Sequence, residues 1–377
     1  MEIVTTVVVF FVLLSILVLI HEIGHFVAAK RFGIRVDEFG FGLPPRIWGK
    51  KIGETVYSLN ALPIGGFVKL YGEEGEETPN SKFETRNSKP DADRAFFSRP
   101  TWQRAVILVA GVCMNFILAL AVLSYLFTQG VFVPAKRVHV EKIAENSPAQ
   151  AAGIQVNDVI VRFNNVGIET SDQLIAQTKD TGRKEVEVIV ARGADFNVAI
   201  PENTCPRCTS LTLFVTPRKD APEGQGPLGV TISHFEERIY PWYQAPFLGI
   251  QEAVKLSLTL ISSLGQLVGK LISLQPVGDV AGPIGIAQVT GEALKFGRLA
   301  VLELLGLLSL NLAIVNILPF PALDGGRLLF VVIEALFGRR MKAHYEQALH
   351  QVGMIILLFL ILLVTINDIA RVLHFPR

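Results

Sequence analysis

A histidine pair with a glutamate between its members, in the run His-Glu-Ile-Gly-His at 21–25, carries the clearest chemistry in this sequence. On an α-helix, positions i and i+4 share one face, so His21 and His25 can bind the same metal ion. Glu22 supplies a carboxylate beside that ion, where it could act as a general base on a water molecule. The run therefore indicates a hydrolytic metal centre.

The metal centre needs a third protein ligand, because a catalytic zinc ion binds three protein ligands and a water molecule. No further His or Glu follows at the spacing of soluble zinc peptidases. The best remaining candidate is Asp324, in the run Asn-Ile-Leu-Pro-Phe-Pro-Ala-Leu-Asp-Gly-Gly at 316–326. Its prolines break a helical pattern and its glycines permit a tight turn. The alternative is an ordinary helix end with Asp324 as a cap.

The elements that must position these residues are long apolar segments. Half of the residues are hydrophobic, 18% are charged and the mean hydropathy is +0.43. A helix of about 20 apolar residues crosses the hydrocarbon core of a bilayer. We therefore predict a polytopic α-helical membrane protein with four transmembrane helices, at 1–30, 105–128, 299–325 and 348–370. Ionisable residues are costly inside such helices, which favours a functional role for the histidine run.

The basic residues predict the orientation. Lys30, Arg31 and Arg35 follow the first predicted span, and Arg327 and Arg339 follow the third. By the positive-inside rule, the loops at 31–104 and 326–347 are cytoplasmic. Both termini are then extracytoplasmic, and the metal centre lies toward the cytoplasmic side.

A fifth apolar segment lies within 246–298, and we predict that it is an amphipathic interfacial helix followed by a Gly-Pro-x-Gly-Ile segment. Glu252, Lys255 and Lys270 interrupt its leucines and isoleucines, as is typical of a helix at the membrane surface. If this helix crossed the bilayer, Asp324 would lie on the opposite side from the histidine run. Four spans are consistent with a shared metal centre, and five are not.

Two segments outside the spans have strand patterns. Residues 35–71, in the first loop, are rich in Gly, Phe, Val and Tyr, which predicts a membrane-associated β-hairpin or sheet. The extracytoplasmic region at 129–245 has the order of strands and short helices of one PDZ domain, at about 138–200. Such a domain either binds a peptide end or excludes bulky substrates by its size.

The cysteines and the net charge speak against a structural zinc site and a nucleic-acid partner. Cys205 and Cys208 form a Cys-Pro-Arg-Cys run, and no second Cys pair completes a structural zinc site. A local disulfide is the expectation if this loop faces an oxidising compartment. The net charge of +1 gives no basic field for a nucleic-acid partner.

Taken together, the motifs resemble the site-2 protease family of intramembrane metalloproteases, in particular its bacterial regulator-of-sigma-E type. The resemblance covers nearly the whole chain. It rests on the histidine run at 21–25, Phe-Gly-Phe-Gly at 39–42, Pro-Ile-Gly-Gly at 63–66, Gly-Pro-Ile-Gly-Ile at 282–286, and Asn-x2-Pro-x-Pro-x-Leu-Asp-Gly at 316–325. The run Gly-Val-Cys-Met-Asn at 111–115 lacks the proline that family members often have there.

The resemblance implies roles for particular residues. A zinc ion would be bound by His21, His25 and Asp324, with Glu22 as the general base. Asn316 would hold the substrate backbone. The other substrate-binding candidates are Asn311, Gly65 and Gly66.

The resemblance also implies a function and a location. The chain would be a zinc metalloendopeptidase in a bacterial inner (plasma) membrane, in contact with membrane lipid. Its substrates would be the transmembrane segments of single-span proteins such as anti-sigma factors already trimmed on the outside, and also remnant signal peptides. Two other classes are a non-catalytic PDZ scaffold and a metal transporter. The presence of Glu22 speaks against the scaffold, and the scarcity of ionisable residues in spans two and four speaks against the transporter.

The cysteine pair yields a first testable expectation. If the loop is extracytoplasmic, Cys205 and Cys208 will resist alkylation in intact cells until a reductant is added. Cys113, in the second span, serves as the reference thiol after detergent solubilisation. Labelling of both loop cysteines without reductant would contradict the disulfide and weaken the predicted topology.

Overall fold

The computed structural model describes residues 2–73, 92–181, 184–193, 209–218, 226–273, 281–338 and 343–372. Its α-helices are α1 (Glu2–Arg31), α2 (Thr101–Gln129), α3 (Pro148–Ala151), α4 (Ser171–Asp180), α5 (Ala245–Ile272), α6 (Pro283–Phe296), α7 (Arg298–Ile317), α8 (Asp324–Phe337) and α9 (Ala343–Val372). Its strands are β1 (Val36–Ile52), β2 (Thr55–Leu70), β3 (Val131–Ile143), β4 (Val159–Phe163), β5 (Val166–Gly167), β6 (Val186–Arg192), β7 (Thr209–Val215) and β8 (Val230–Arg238).

The chain folds as two compact units. The first comprises Met1–Leu126 and Tyr243–Arg377, and the second comprises Phe127–Trp242. The first unit contains the helices that carry the candidate ligands, and the second contains the segment in which we predicted a PDZ domain.

Helix α2 runs antiparallel to α1 in the first unit. The His25 ring contacts the carbonyl of Ile107. His21, one turn earlier in α1, contacts Asn115, which lies later in α2. Gly24 lies directly against Ala110, where an added Cβ would be 2.4 Å from the carbonyl oxygen. Small residues at such crossings let helix backbones approach closely inside a membrane.

Helix α7 runs antiparallel to α2 and therefore parallel to α1. Gly306 packs on Val122 near the start of α7, and further along the Ser309 hydroxyl donates a hydrogen bond of 2.8 Å to the carbonyl of Asn115. Helix α9 runs opposite to α7. Gly353, in its first half, packs on Pro321 just after the end of α7. Near the end of α9, the carboxylate of Asp368 accepts hydrogen bonds from backbone N–H groups at the start of α6, the helix that precedes α7.

Five described helices are long and apolar enough to cross a membrane: Ile3–Arg31, Thr101–Gln129, Ala245–Lys270, Arg298–Ile317 and Tyr345–Arg371. Four of them coincide with the predicted spans, which supports an integral membrane protein. The additional helix is α5, for which we predicted an interfacial position. Its leucines at 256, 260 and 264 pack on Ala119, Leu310 and Ile314, between α2 and α7.

The end of the predicted third span differs from our expectation. We predicted a helix over 299–325 and a loop over 326–347, but α7 ends at Ile317 and α8 occupies much of the loop. Pro319 and Pro321 have no backbone N–H to continue α7, and Ala322 takes a left-handed conformation with φ of 82°. The chain reverses there, and a new helix begins at Asp324.

The predicted membrane-associated β region is a long hairpin that folds across itself. Residues 36–41 of β1 pair on one side with 66–70 and on the other with 56–59, and residues 46–52 pair with 55–60. Four antiparallel segments thus lie in the order 46–52, 55–60, 36–41 and 66–70. The exposed apolar side chains of this sheet are Leu43, Ile47, Trp48, Ile52, Leu59 and Leu62.

Ion pairs tie the hairpin turn to the end of α1. Glu54 accepts hydrogen bonds of 2.8 Å from Lys30 Nζ and from Arg94. The hydrogen bond from Lys30 and then that from Arg94 hold the pKa of Glu54 below its usual value, although partial burial opposes the shift. The turn is therefore fixed to the same helix that carries the histidine pair.

The second unit is a sheet in the order β7-β6-β4-β3-β8, with β5 paired to β4. Helix α4 begins at a capping box formed by Thr170 and Gln173. The sheet and two short helices enclose a core that includes Val138, Ile160 and Phe163. The observed elements fall close to the predicted ones, while the assignment to the PDZ fold stays a prediction.

One buried carboxylate organises the second unit. Asp158 is 1% exposed, and its oxygens accept hydrogen bonds of 2.8–2.9 Å from the Arg192 guanidinium and 2.8 Å from the Gln155 N–H. The hydrogen bonds that Arg192 donates to Asp158 raise the pKa of its guanidinium. These contacts join β6 to the turn before β4.

We expect Asp158→Ala to lower the free energy of unfolding of the second unit by about 1.5–3 kcal/mol, the usual size for hydrogen bonds to a charged group. The measurement is urea-induced unfolding of the full chain, followed by proteolysis within Phe127–Trp242. Asp172→Ala, at an exposed site on α4, is the matched control and should change little. Equal stability of the two variants would contradict the role of Asp158.

Candidate metal centre

The two histidines of α1 face the interior of the first unit. His21 and His25 are 5% and 9% exposed, and their ring centroids lie 4.7 Å apart. Their Nε2 atoms are 3.1 Å apart. The helical spacing therefore brings both nitrogens to one point, as the sequence predicted.

Asp324 reaches the same point from the first residue of α8. Its Oδ2 atom lies 2.8 Å from His21 Nε2 and 3.3 Å from His25 Nε2. In the described part of the chain, these three residues form a cluster whose ligand atoms all lie within 4.8 Å of one another. Two imidazole nitrogens and one carboxylate oxygen match the donor set of a catalytic zinc site, with a coordination position left for water.

The orientation of His25 is fixed by α2. Its Nδ1 atom lies 2.8 Å from the carbonyl oxygen of Ile107. Because a carbonyl oxygen can only accept, Nδ1 must carry the proton, and Nε2 keeps its lone pair for a metal ion. Hydrogen bonds of this kind orient most histidine ligands in metalloproteins.

Two asparagines flank His21. The side-chain amide of Asn115 lies 3.2 Å from His21 Nδ1. The side-chain amide of Asn316 lies 3.4 Å from His21 Nε2, on the metal side of the ring. Asn316 therefore lies at the centre, and its role in holding the substrate backbone stays a prediction. The Asn311 side chain makes no hydrogen bond to another described residue, and Asn311 lies about 7.5 Å from Asn316 along α7. Its role in substrate binding stays a prediction.

The hairpin brings its edge segment close to the catalytic candidate. A Cβ atom at Gly66 would lie 3.6 Å from Glu22 Cγ, and one at Gly65 would lie 3.5 Å from a methyl group of Val18. Glu22 is partly buried between α1 and this segment. The predicted substrate-binding glycines therefore lie beside the predicted base.

Gly111 on α2 is required by close approach to the histidines. A Cβ atom there would lie 2.4 Å from His25 Nε2 and 2.8 Å from His21 Cε1. Any side chain at this position would displace the imidazole rings. The sequence alone indicated no role for this glycine. Its spacing from Asn115 on an apolar helix is the signal that could have identified both residues.

The position of Asp324 depends on contacts made by α8. A Cβ at Gly325 would lie 2.1 Å from the carbonyl oxygen of Leu318, so only glycine lets α8 begin directly beneath α7. Further along α8, Arg327 pairs with Glu73 at the end of the hairpin, and Glu334 pairs with the buried Arg104 of α2 at 2.6 Å. Local sequence reasoning missed both ion pairs.

The predicted disulfide lies in another part of the chain. Cys205 and Cys208, the disulfide candidates, fall outside the described residues. The described free cysteine is Cys113, on α2.

The arrangement of two helical histidines, an adjacent glutamate and a distant aspartate on membrane helices defines a metallopeptidase centre within an integral membrane protein. The model of Peptidase family M50 matches residues 9–360. The chain therefore belongs to peptidase family M50. This membership confirms the predicted resemblance to the site-2 proteases and the predicted enzyme class.

Relatives that align with nearly the whole chain support this assignment. The chain is 34% identical to a protein of Clostridium perfringens, covering 94% of this chain and 96% of that protein. It is 30% identical to the zinc metalloprotease RasP of Bacillus licheniformis, covering 97% and 99%. It is 29% identical to the regulator of sigma-W protease RasP of Bacillus subtilis, covering 98% and 99%. The name of the second relative agrees with the predicted zinc cofactor.

We expect Gly111→Ala to lower the zinc content of the purified protein at least about tenfold, because the added methyl group would displace both imidazoles. The measurement is zinc per protein by atomic emission after gel filtration. Gly269→Ala is the matched control, since a Cβ on that α5 glycine meets no atom within 4 Å. A zinc content equal to that of the control would contradict the requirement for glycine at position 111.

Proposed function

We propose that the chain is a zinc metalloendopeptidase that cleaves transmembrane segments of single-span membrane proteins. The observation that carries this proposal is the convergence of His21, His25 and Asp324, whose ligand atoms lie within 4.8 Å of one another on helices of an apolar bundle. Ionisable residues gathered inside a membrane protein indicate a functional site.

His21, His25 and Asp324 hold the zinc ion in this proposal. When bound, zinc acts as a Lewis acid that activates a water molecule and polarises a carbonyl group. The carboxylate of Glu22 takes a proton from the attacking water and delivers it to the nitrogen of the leaving amine. Glu22 suits this task because it lies on the same helix as both imidazoles, beside the edge of the hairpin.

The hairpin provides a place for the substrate. Its segment 66–70 pairs with β1 on one side only among the described residues, so it is an edge of the four-segment sheet. A substrate helix must unwind before cleavage, and the unwound chain can add to this edge as a further strand. Gly65 and Gly66 then lie along the bound backbone, next to Glu22. Asn316, whose amide lies 3.4 Å from His21 Nε2, donates that amide to a substrate carbonyl.

The names of relatives suggest the substrate class. One relative is named as a regulator of sigma-W protease. We infer that this chain likewise cleaves anti-sigma-factor-like proteins with a single span, after an earlier cut on the outside, and also cleaves remnant signal peptides. The second unit acts before cleavage, either by binding the new peptide end or by excluding substrates with large outer domains.

We further propose four spans in a bacterial plasma membrane, with both termini extracytoplasmic. The helix directions support this topology, because α1 and α7 are parallel while α2 and α9 run the opposite way. The segment that connects the end of α2 to the start of α7 must therefore begin and end on one side of the bundle. Helix α5 starts beside the outer end of α2, where Gly249 packs on Ser124, and α6 starts beside Asp368 near the outer end of α9.

The proposal predicts that Glu22→Gln separates catalysis from metal binding. Glutamine keeps the size of the side chain but cannot take a proton, so the cleavage rate should fall by about 10²–10⁴-fold. Zinc content should stay at one ion per chain, whereas His25→Ala should lose both activity and zinc. The measurements are cleavage of a single-span reporter and metal analysis of the same preparation. Cleavage near the wild-type rate would assign the base to another group.

The same variant tests the substrate class in cells. With Glu22→Gln in place of the wild type, single-span membrane proteins trimmed on the outer side should accumulate as uncut fragments, detected by quantitative membrane proteomics. The wild-type chain expressed in the same cells should remove those fragments. Accumulation of multi-span or soluble proteins alone would contradict the proposed substrates.

A further inference from the structure

We propose that Asn115 is a positioning residue for the metal ligand His21: its Oδ1 atom accepts a hydrogen bond from His21 Nδ1–H and so directs the Nε2 lone pair toward the metal. This inference rests on the proposed zinc centre and concerns the orientation and tautomer of His21. Asn115 itself does not contact the metal or the substrate.

The ligating nitrogen of His21 is settled by the positions of the other ligands. Nε2 lies 2.8 Å from Asp324 Oδ2 and 3.1 Å from His25 Nε2, while Nδ1 points away toward α2. A neutral imidazole that ligates through Nε2 carries its proton on Nδ1. That proton needs an acceptor, because His21 is buried where water cannot supply one.

The amide of Asn115 is the group at this position. It lies 3.2 Å from His21 Nδ1, and the Asn115 side chain is fully buried. The amide has two ends, a carbonyl oxygen that accepts and an NH2 group that donates. With the NH2 end toward His21, the Asn115 Oδ1 atom is buried without a hydrogen-bond partner. Two donors would then face each other as soon as Nε2 binds the metal.

A half-turn of the amide removes the conflict at His21 and places the NH2 group where the unpaired oxygen had been. Because the two ends are nearly the same size, the rotation exchanges them without moving other atoms. Oδ1 then accepts from His21 Nδ1–H, and the unpaired buried oxygen disappears. The arrangement becomes the counterpart of His25, whose Nδ1–H donates to the Ile107 carbonyl at 2.8 Å. Each imidazole of the pair is thus oriented by one oxygen acceptor of α2.

The opposite arrangement is incompatible with metal binding. If the Asn115 NH2 group donated to Nδ1, the proton of His21 would lie on Nε2, the atom that faces Asp324 and His25. The amide of Asn115 therefore selects between a ligating and a non-ligating tautomer. Ser309 packs at the same site without contacting the amide, since its hydroxyl donates a hydrogen bond of 2.8 Å to the Asn115 backbone carbonyl.

The test compares the zinc affinity of full-length variants by chelator competition in detergent. Asn115→Leu keeps the shape of the side chain but removes the acceptor, and should weaken zinc binding about 10–100-fold, the usual effect of losing a partner of a histidine ligand. Asn115→Asp keeps an oxygen acceptor and should hold zinc within a few-fold of the wild type. Ser309→Ala is the matched control for packing at the same site and should hold zinc as the wild type does.

The cobalt-substituted proteins provide a second readout. The wild type, Asn115→Asp and Ser309→Ala should share one visible absorption spectrum, and Asn115→Leu should differ because His21 is no longer held in place. If Asn115→Leu does not yield monodisperse protein, Asn115→Ala gives the same comparison. Wild-type affinity in the Leu or Ala variant, or an equal loss in Asn115→Asp or Ser309→Ala, would overturn the proposal. Failure of the wild type to bind zinc would instead overturn the proposed function.

Discussion

The three ligand atoms of His21, His25 and Asp324 must meet in an environment that does not favour polar groups. Inside a bilayer, each such group has to find its partners within the protein. The pair from α1 is supplied by helical periodicity alone, but Asp324 lies about 300 residues further along and reaches the pair only when α7, α8 and α2 pack correctly. The fold of the first unit can therefore be understood as the scaffold for this contact.

Three structural features bring Asp324 and the two histidines together. Gly24 and Gly111 let α1 and α2 approach until the imidazoles fill the space between them. The Pro-rich reversal after α7 turns the chain so that α8 begins at Asp324, and Gly325 permits the tight approach. Ion pairs of α8 with the hairpin and with α2 then hold that helix in place. The hairpin is thus linked to the metal centre through one short helix.

The sequence predicted those parts of the site that depend on local pattern. Ionisable residues are conspicuous in apolar segments, so the histidine run and Asp324 could be assigned without a structure. The strands of the hairpin and of the second unit were also predicted near their observed positions. The start of α8 was missed because it depends on the left-handed turn at Ala322. The function of Asn115 was missed because an asparagine on a helix has meaning only when its tertiary partner is known.

The central claim, that His21, His25 and Asp324 jointly bind one zinc ion, is tested most directly by X-ray absorption at the zinc edge of the purified full chain. The account predicts one zinc per protein, with imidazole nitrogens at about 2.0–2.1 Å and oxygen ligands at about 2.0–2.2 Å. Asp324→Ala should remove one oxygen ligand or release the metal, while the protein stays folded. A first shell containing sulfur, or zinc that is unaffected by Asp324→Ala, would contradict the account.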